Sequence, residues 1–132
     1  MFMSLKKKIL VIGSNGQIGT VLTNRLCKKY GYDNVIGSDL NPPRSSCKFI
    51  FEICSVLDKE KLELIISKHN ITEVYLLAAY LSAKGEDNID KAWDLNINGL
   101  RHILNFAKDK KIKKIFWPSS IAVFGPSSPK NN

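Results

Sequence analysis

Seven residues near the start of the chain have the types and spacing to hold an anion: Gly13-Ser-Asn15-Gly16-Gln17-Ile18-Gly19. The pattern is G-x-x-G-x-x-G, placed where a short apolar run stops and a helical pattern begins. Gly13 permits a tight turn, Gly16 lets backbone approach a pyrophosphate with no Cβ in the way, and Gly19 lets a helix pack close to a strand. N–H groups in the first turn of that helix have no intrahelical partner and face the anion. Turns use glycine for many reasons, so it is the strand-to-helix context that gives the pattern its meaning. Asp39 follows at the end of the second apolar run. A carboxylate there accepts hydrogen bonds from adenosine ribose hydroxyls and repels a 2′-phosphate, which favours NAD over NADP. The alternative role for Asp39 is turn capping. Arg44 is near enough in sequence to assist a 2′-phosphate, so NADP stays open.

These residues need elements to position them. Lys8–Ile12 is a continuous apolar run, as expected of a strand buried on both faces. Gly16–Tyr30 carries Ile18, Val21, Leu22 and Leu26 at helical spacing, with Lys28 and Lys29 near its end and Gly31 just past it. Asn34–Ser38 is a second strand, and Asn41–Ser46 is a loop broken by two prolines. Lys48–Glu52 is a third strand. Asp58 caps a helix to about Lys68, and Glu73–Leu77 is a fourth strand. A longer helix spans Ala92–Ala107, with Trp93, Leu95, Ile97, Leu100, Leu104 and Ala107 inward. Lys114–Trp117 is a fifth strand, stopped by Pro118. Short apolar strands alternating with helices predict an α/β, doubly wound parallel sheet with helices on both faces. With the glycine turn after the first strand, the expected type is Rossmann, strand order 3-2-1-4-5. The expectation for residues 1–132 is one nucleotide-binding domain, truncated after strand five.

Composition narrows the function classes. The chain has 132 residues and a net charge of +8, but 17 of its 20 basic residues are Lys and three are Arg. Arg is the residue suited to forked phosphate and base contacts. The Lys groups flank strands or end helices, where cations suit the helix dipole. A solvated surface is therefore expected, not a nucleic-acid partner. Cys27, Cys47 and Cys54 form no CxxC pair, so neither a disulfide framework nor a metal site is expected. Reduced thiols point to a cytoplasmic location. No stretch approaches the length of a membrane span.

The longer segments resemble the extended short-chain dehydrogenase/reductase family (the NAD-dependent epimerases and dehydratases). Within it, they are most similar to the NAD-dependent L-threonine 3-dehydrogenases, which are related to the UDP-sugar 4-epimerases. The resemblance is carried by Gly13–Thr20, Tyr75–Ala79, Leu81–Gly85, Trp93–Gly99 and Phe116–Pro126. It implies NAD as cofactor and L-threonine as small-molecule substrate, oxidised to 2-amino-3-ketobutyrate. On this resemblance Gln17 and Ile18 present N–H groups to the pyrophosphate, Asp39 and Leu40 flank the adenosine, and Ser55 and Val56 frame the adenine. Many relatives carry Asp where this chain has Ser55. Leu77, Ala78 and Ala79 form a floor under the nicotinamide ribose, and Asn96 supports the active site. Ser82 lies near the substrate. Ser120 matches the catalytic Ser/Thr, with Ser119 beside it. From the residues alone, Ser119 and Ser120 read as caps at a strand end.

The family's general base is the Tyr of a Tyr-x-x-x-Lys pair after strand five, where the Lys cation lowers the Tyr pKa. This chain has that spacing at Tyr80 and Lys84, but after strand four and before Ser119, which marks it as a decoy. The true pair is expected past Asn132. Four readings follow from this. The first is the NAD-binding portion of a threonine dehydrogenase that binds NAD without turnover. The others are a nucleotide-sugar epimerase/dehydratase fragment, a non-catalytic NAD-binding module, and one half of an assembly whose second half is separately encoded and adds at strand five. The resemblance also implies a homodimer.

Overall fold

Ile9–Ile12 forms the central strand, β1, and all four of its side chains are buried. A strand with neighbours on both edges and cover on both faces has no polar side, hence the unbroken apolar run. β2 (Val35–Asp39) and β4 (Glu73–Leu76) pair with it in parallel, Ile9 standing opposite Val35 on one edge and Glu73 on the other. β3 (Ile50–Ile53) and β5 (Lys114–Phe116) form the two outer strands. The order is β3-β2-β1-β4-β5, the Rossmann arrangement expected from the sequence. The structure is a computed structural model and describes residues 7–43, 46–80, 88–109 and 112–119.

Helices cover both faces. α1 (Gln17–Tyr30) places Leu26 and Cys27 against Ile9, Val11 and Val35. It ends at Gly31, whose φ of +93° an L side chain would resist and whose N–H donates to Cys27 O. α2 (Lys59–Lys68) is capped by Asp58 Oδ1, which accepts from Lys61 N–H at 3.0 Å. With α4 (Gly99–Lys108), α2 packs on the opposite face, where Leu62, Ile66, Ile103 and Phe106 meet Leu10, Val74 and Leu76.

The strands differ from the sequence expectation by a residue or two at their ends; Asp39 itself closes β2, and β3 starts at Ile50. The fourth helical region differs more. It begins at Ile89, three residues before the expected start, with Asn88 Oδ1 accepting from Lys91 N–H. α3 (Ile89–Trp93) runs into a π turn, Asp94–Asn98, closed by Gly99 N–H to Asp94 O, and only then into α4. One extra residue in the turn rotates all that follows by about 100°. A single 3.6-residue period laid across the turn therefore fails. Trp93 and Leu104, expected inward, are exposed, Ile97 is half-buried, and Ile103 and Phe106 are buried in their place. Leu95, Leu100 and Ala107 do pack on the core.

On the α1 side, Val11, Tyr75 and Phe116 stand in one row across β1, β4 and β5. Val11 is fully buried, but Phe116 is 43% exposed. Its ring stacks flat on Tyr75, with centroids 4.3 Å apart. Among the described residues, α1 covers β1 and β2 on this side, and the β4–β5 part of the face lies open.

One charged cluster ties β3 to the end of α2. Lys68 Nζ and His69 Nε2 reach Glu52 Oε1 at 2.8 and 2.7 Å. They hold the Glu52 carboxyl below the usual range, Lys68 contributing most. A pKa lower in the folded state stabilises the fold above the unfolded-state value and loses that contribution as pH falls through the folded value. Glu52→Gln should lower stability by about 0.5–1 kcal/mol at neutral pH. In denaturant melts the gap from the parent chain should close as pH drops below the ordinary value of 4.5. A gap that does not narrow at all as pH falls below that value would mean the carboxylate charge contributes nothing.

Candidate functional site

The turn after β1 is held from two sides. Gly13 N–H and Ser14 N–H donate to Ser38 O at 2.8 and 3.1 Å, fastening it to β2. Leu77 N–H and Ala78 N–H donate to Ile12 O at 2.8 and 3.1 Å, fastening it to the exit of β4. Gly13 has a φ of +88°, and a Cβ there would lie 2.7 Å from Ala78 N. A Cβ on Gly19 would overlap the Gly13 carbonyl oxygen. The start of α1 is therefore pressed against the turn, which fixes the rotation of the helix. Gly19, Thr23, Leu26 and Cys27 face inward, while Ile18 and Val21, both part of the apolar pattern, face out.

α1 has 14 residues, no side-chain cap and no acidic residue in its first turn. Its first internal bond is Thr20 N–H to Gly16 O, at 2.9 Å. The N–H groups of Gln17 and Ile18 precede that bond and have no carbonyl of the helix to meet, which leaves partial positive charge at this end. An anion fits this terminus.

Beside it lies a cleft of about 410 Å³. Asp39 stands at one end. Its Oδ2 accepts from Asn15 N–H at 2.9 Å and its Oδ1 from Leu40 N–H at 2.8 Å, so the carboxylate is held by two backbone donors. Each oxygen keeps further acceptor capacity. The cleft brings together ten of the residues expected from the sequence: Gly13, Asn15, Gly16, Asp39, Leu40, Ser55, Val56, Leu77, Ala78 and Ala79. Gly19 lies beneath the turn, and Gln17 and Ile18 are not among the lining residues.

Further contacts position Ser55 and Val56 within the cleft and place the remaining expected residues. Ser55 Oγ accepts from Leu57 N–H at 3.2 Å and so caps its own turn. Val56 is pinned by α4, since Gly99 leaves no room for a Cβ against it and His102 Nδ1 lies 3.0 Å from Val56 O. Asn96 lies outside the cleft, in the π turn. Its Oδ1 accepts from Tyr80 N–H at 2.8 Å and its Nδ2 donates to Tyr80 O at 3.2 Å, bracing the segment after β4. Ser119 is exposed just past β5. Ser82, Lys84 and Ser120 lie outside the described residues.

The sequence reasoning missed Asn41, Pro42, Cys54 and Leu95, which also line the cleft. Asn41-Pro42 directly after Asp39 was a usable signal, because a loop leaving a strand end forms a wall of any cleft there. Cys54 gave none. Burial pushes its thiol up to about 11, so it serves as packing and not as a nucleophile.

Comparison with known proteins decides the family. The model of the NAD dependent epimerase/dehydratase family matches residues 9–132. The chain belongs to that family. An uncharacterized epimerase/dehydratase of Staphylococcus saprophyticus is 40% identical over 129 residues, covering 96% of this chain and 40% of its own length. The mitochondrial L-threonine 3-dehydrogenase of Bos taurus is 38% identical over 130 residues, covering 96% of this chain and 34% of its own. A GalE-like L-threonine dehydrogenase from Cupriavidus necator, solved in its holo form, superposes with a TM-score of 0.88 at 44% identity, covering 92% of this chain and 40% of that one. This epimerase/dehydratase-family chain thus spans about a third to two fifths of the length of these relatives.

The turn allows a sharp test. Gly19→Ala should cost about 2–4 kcal/mol or prevent folding, because its Cβ would collide with backbone. Gly16→Ala, whose Cβ would meet only Gly13 O at 3.3 Å, should stay within about 1 kcal/mol of the parent in the same melts. Equal losses would refute this account of the packing.

Proposed function

We propose that residues 1–132 form a domain that binds NAD along this cleft, as the nucleotide-binding portion of a dehydrogenase of the L-threonine 3-dehydrogenase type. The observation that carries the reading is a single cleft bordered by the glycine turn, the Asp39 carboxylate and Leu77–Ala79. Gln17 and Ile18 N–H groups take the pyrophosphate. Asp39 takes the adenosine ribose hydroxyls, Leu40, Ser55 and Val56 surround the adenine, and Leu77–Ala79 underlie the nicotinamide ribose. Ser120 hydrogen-bonds the substrate hydroxyl as it becomes a carbonyl, with Ser82 and Ser119 nearby. Bound NAD supplies the hydride acceptor, so L-threonine yields 2-amino-3-ketobutyrate and NADH.

No Tyr-x-x-x-Lys pair follows Ser119 in this sequence. On this reading the chain alone binds NAD without turnover. Among the described residues the Tyr75–Phe116 face is uncovered and β5 is an edge strand, which favours further polypeptide packing there. Three free thiols suit a reducing, cytoplasmic setting. Among the described residues no helix is long and apolar enough to cross a membrane.

Calorimetric titration with NAD, followed by an NADH-absorbance assay with L-threonine, tests the reading. Binding without threonine-dependent NADH is expected, and Asp39→Ala should weaken NAD about tenfold or more. Absence of NAD binding would overturn the reading. Turnover would show that the chain carries its own base, and the activity of Tyr80→Phe would then test whether Tyr80 is that base.

A further inference from the structure

One interaction at the cleft has no part in forming the glycine turn. Asn15 Nδ2 donates to Asn41 O at 2.7 Å and to Pro42 O at 3.2 Å. Both carbonyls belong to the loop that leaves β2. Pro42 and Pro43 have no N–H, so that stretch has few backbone donors of its own. Asn15 supplies one from another element, its side-chain amide nitrogen. Its backbone N–H meanwhile holds Asp39 Oδ2. One residue of the glycine turn thus grips the adenosine end of the cleft at three points, and Asn15, Asp39, Leu40, Asn41 and Pro42 all line that cleft.

We infer that Asn15 is a positioning and specificity-determining residue: its side chain staples the 40–42 loop so that Asp39 and Leu40 are presented to an adenosine ribose bearing a free 2′-hydroxyl. The inference rests on the dinucleotide reading above. A stapled loop keeps the Asp39 carboxylate where it accepts ribose hydroxyls and repels a 2′-phosphate. A released loop loses the first effect and relieves the second. NAD therefore suffers, while for NADP the two changes oppose each other.

The test uses the full chain with NAD, NADP and nicotinamide mononucleotide as probes in calorimetry. Asn15→Ala removes the staple and leaves the backbone bond to Asp39. It should weaken NAD about tenfold, change NADP less than about threefold and leave nicotinamide mononucleotide unaltered, so that the NAD/NADP preference falls. Asn15→Ser restores one donor and should fall between; it also serves as the test if the alanine variant does not fold. Unchanged NAD affinity in both variants would overturn the inference, as would equal weakening of NAD and NADP, which marks a general disturbance. If the parent chain itself fails to bind NAD, the dinucleotide reading fails first, and that result is distinct from either.

Discussion

The carbonyl oxygen of Gly13 occupies the space that a side chain at residue 19 would need. This contact between two backbones sets how close α1 comes to β1, and the rest of the cleft is arranged around it. It turns Thr23, Leu26 and Cys27 inward against the sheet and aims the helix N-terminus past the ends of β1 and β4. The same turn is locked to Ser38 O on one side, while Ile12 O holds Leu77 and Ala78 on the other. Strand ends, helix terminus and cleft floor are thereby fixed to each other by backbone hydrogen bonds. The order β3-β2-β1-β4-β5 reverses direction at β1, and such a switch point is where an open α/β sheet leaves a crevice.

Electrostatics within the cleft run from one end to the other. The helix terminus offers positive partial charge beside the cleft, and Asp39 offers a fixed carboxylate in its lining. A ligand that fits has an anionic centre and a hydroxyl-bearing end group. The two bonds to the Asp39 oxygens fix the carboxylate to the glycine turn on one side and to the exit of β2 on the other. The π turn acts on the opposite side of the cleft. It places Leu95 in the lining and lets Asn96 hold Tyr80 through both amide atoms. A widened turn of this kind gives up regular helix geometry to orient a side chain, a cost that often marks a functional position.

Much of this was legible in the sequence because the signals are local. β1 reads from five consecutive apolar or stem-bearing residues, the turn from three glycines, and Asp39 from its place at a strand end. The parallel sheet follows from the alternation of strands and helices. What was not legible depends on packing and hydrogen bonds that the residue pattern does not encode. Ile18 and Val21 fit a helical stripe, yet backbone packing at Gly19 turns them outward. Trp93 and Leu104 fit a single period, yet the π turn breaks the phase between them. Asn15 reads as a turn residue, and its bonds to Asn41 and Pro42 appear only once β1 and β2 lie side by side. Ser55 is read as an adenine contact only through the resemblance, and the bond its hydroxyl accepts from Leu57 N–H is visible only in the structure.

The central claim is that the turn, the helix terminus and Asp39 form one site for one ligand. The most direct measurement is the amide NMR spectrum of isotopically labelled chain during titration with NAD. The account predicts that the Gln17 and Ile18 amides move together with those of Asn15, Leu40 and Val56, along a single binding curve. Shifts confined to one end of the cleft, or a spectrum in which the Gln17 and Ile18 amides stay still as NAD saturates, would contradict it.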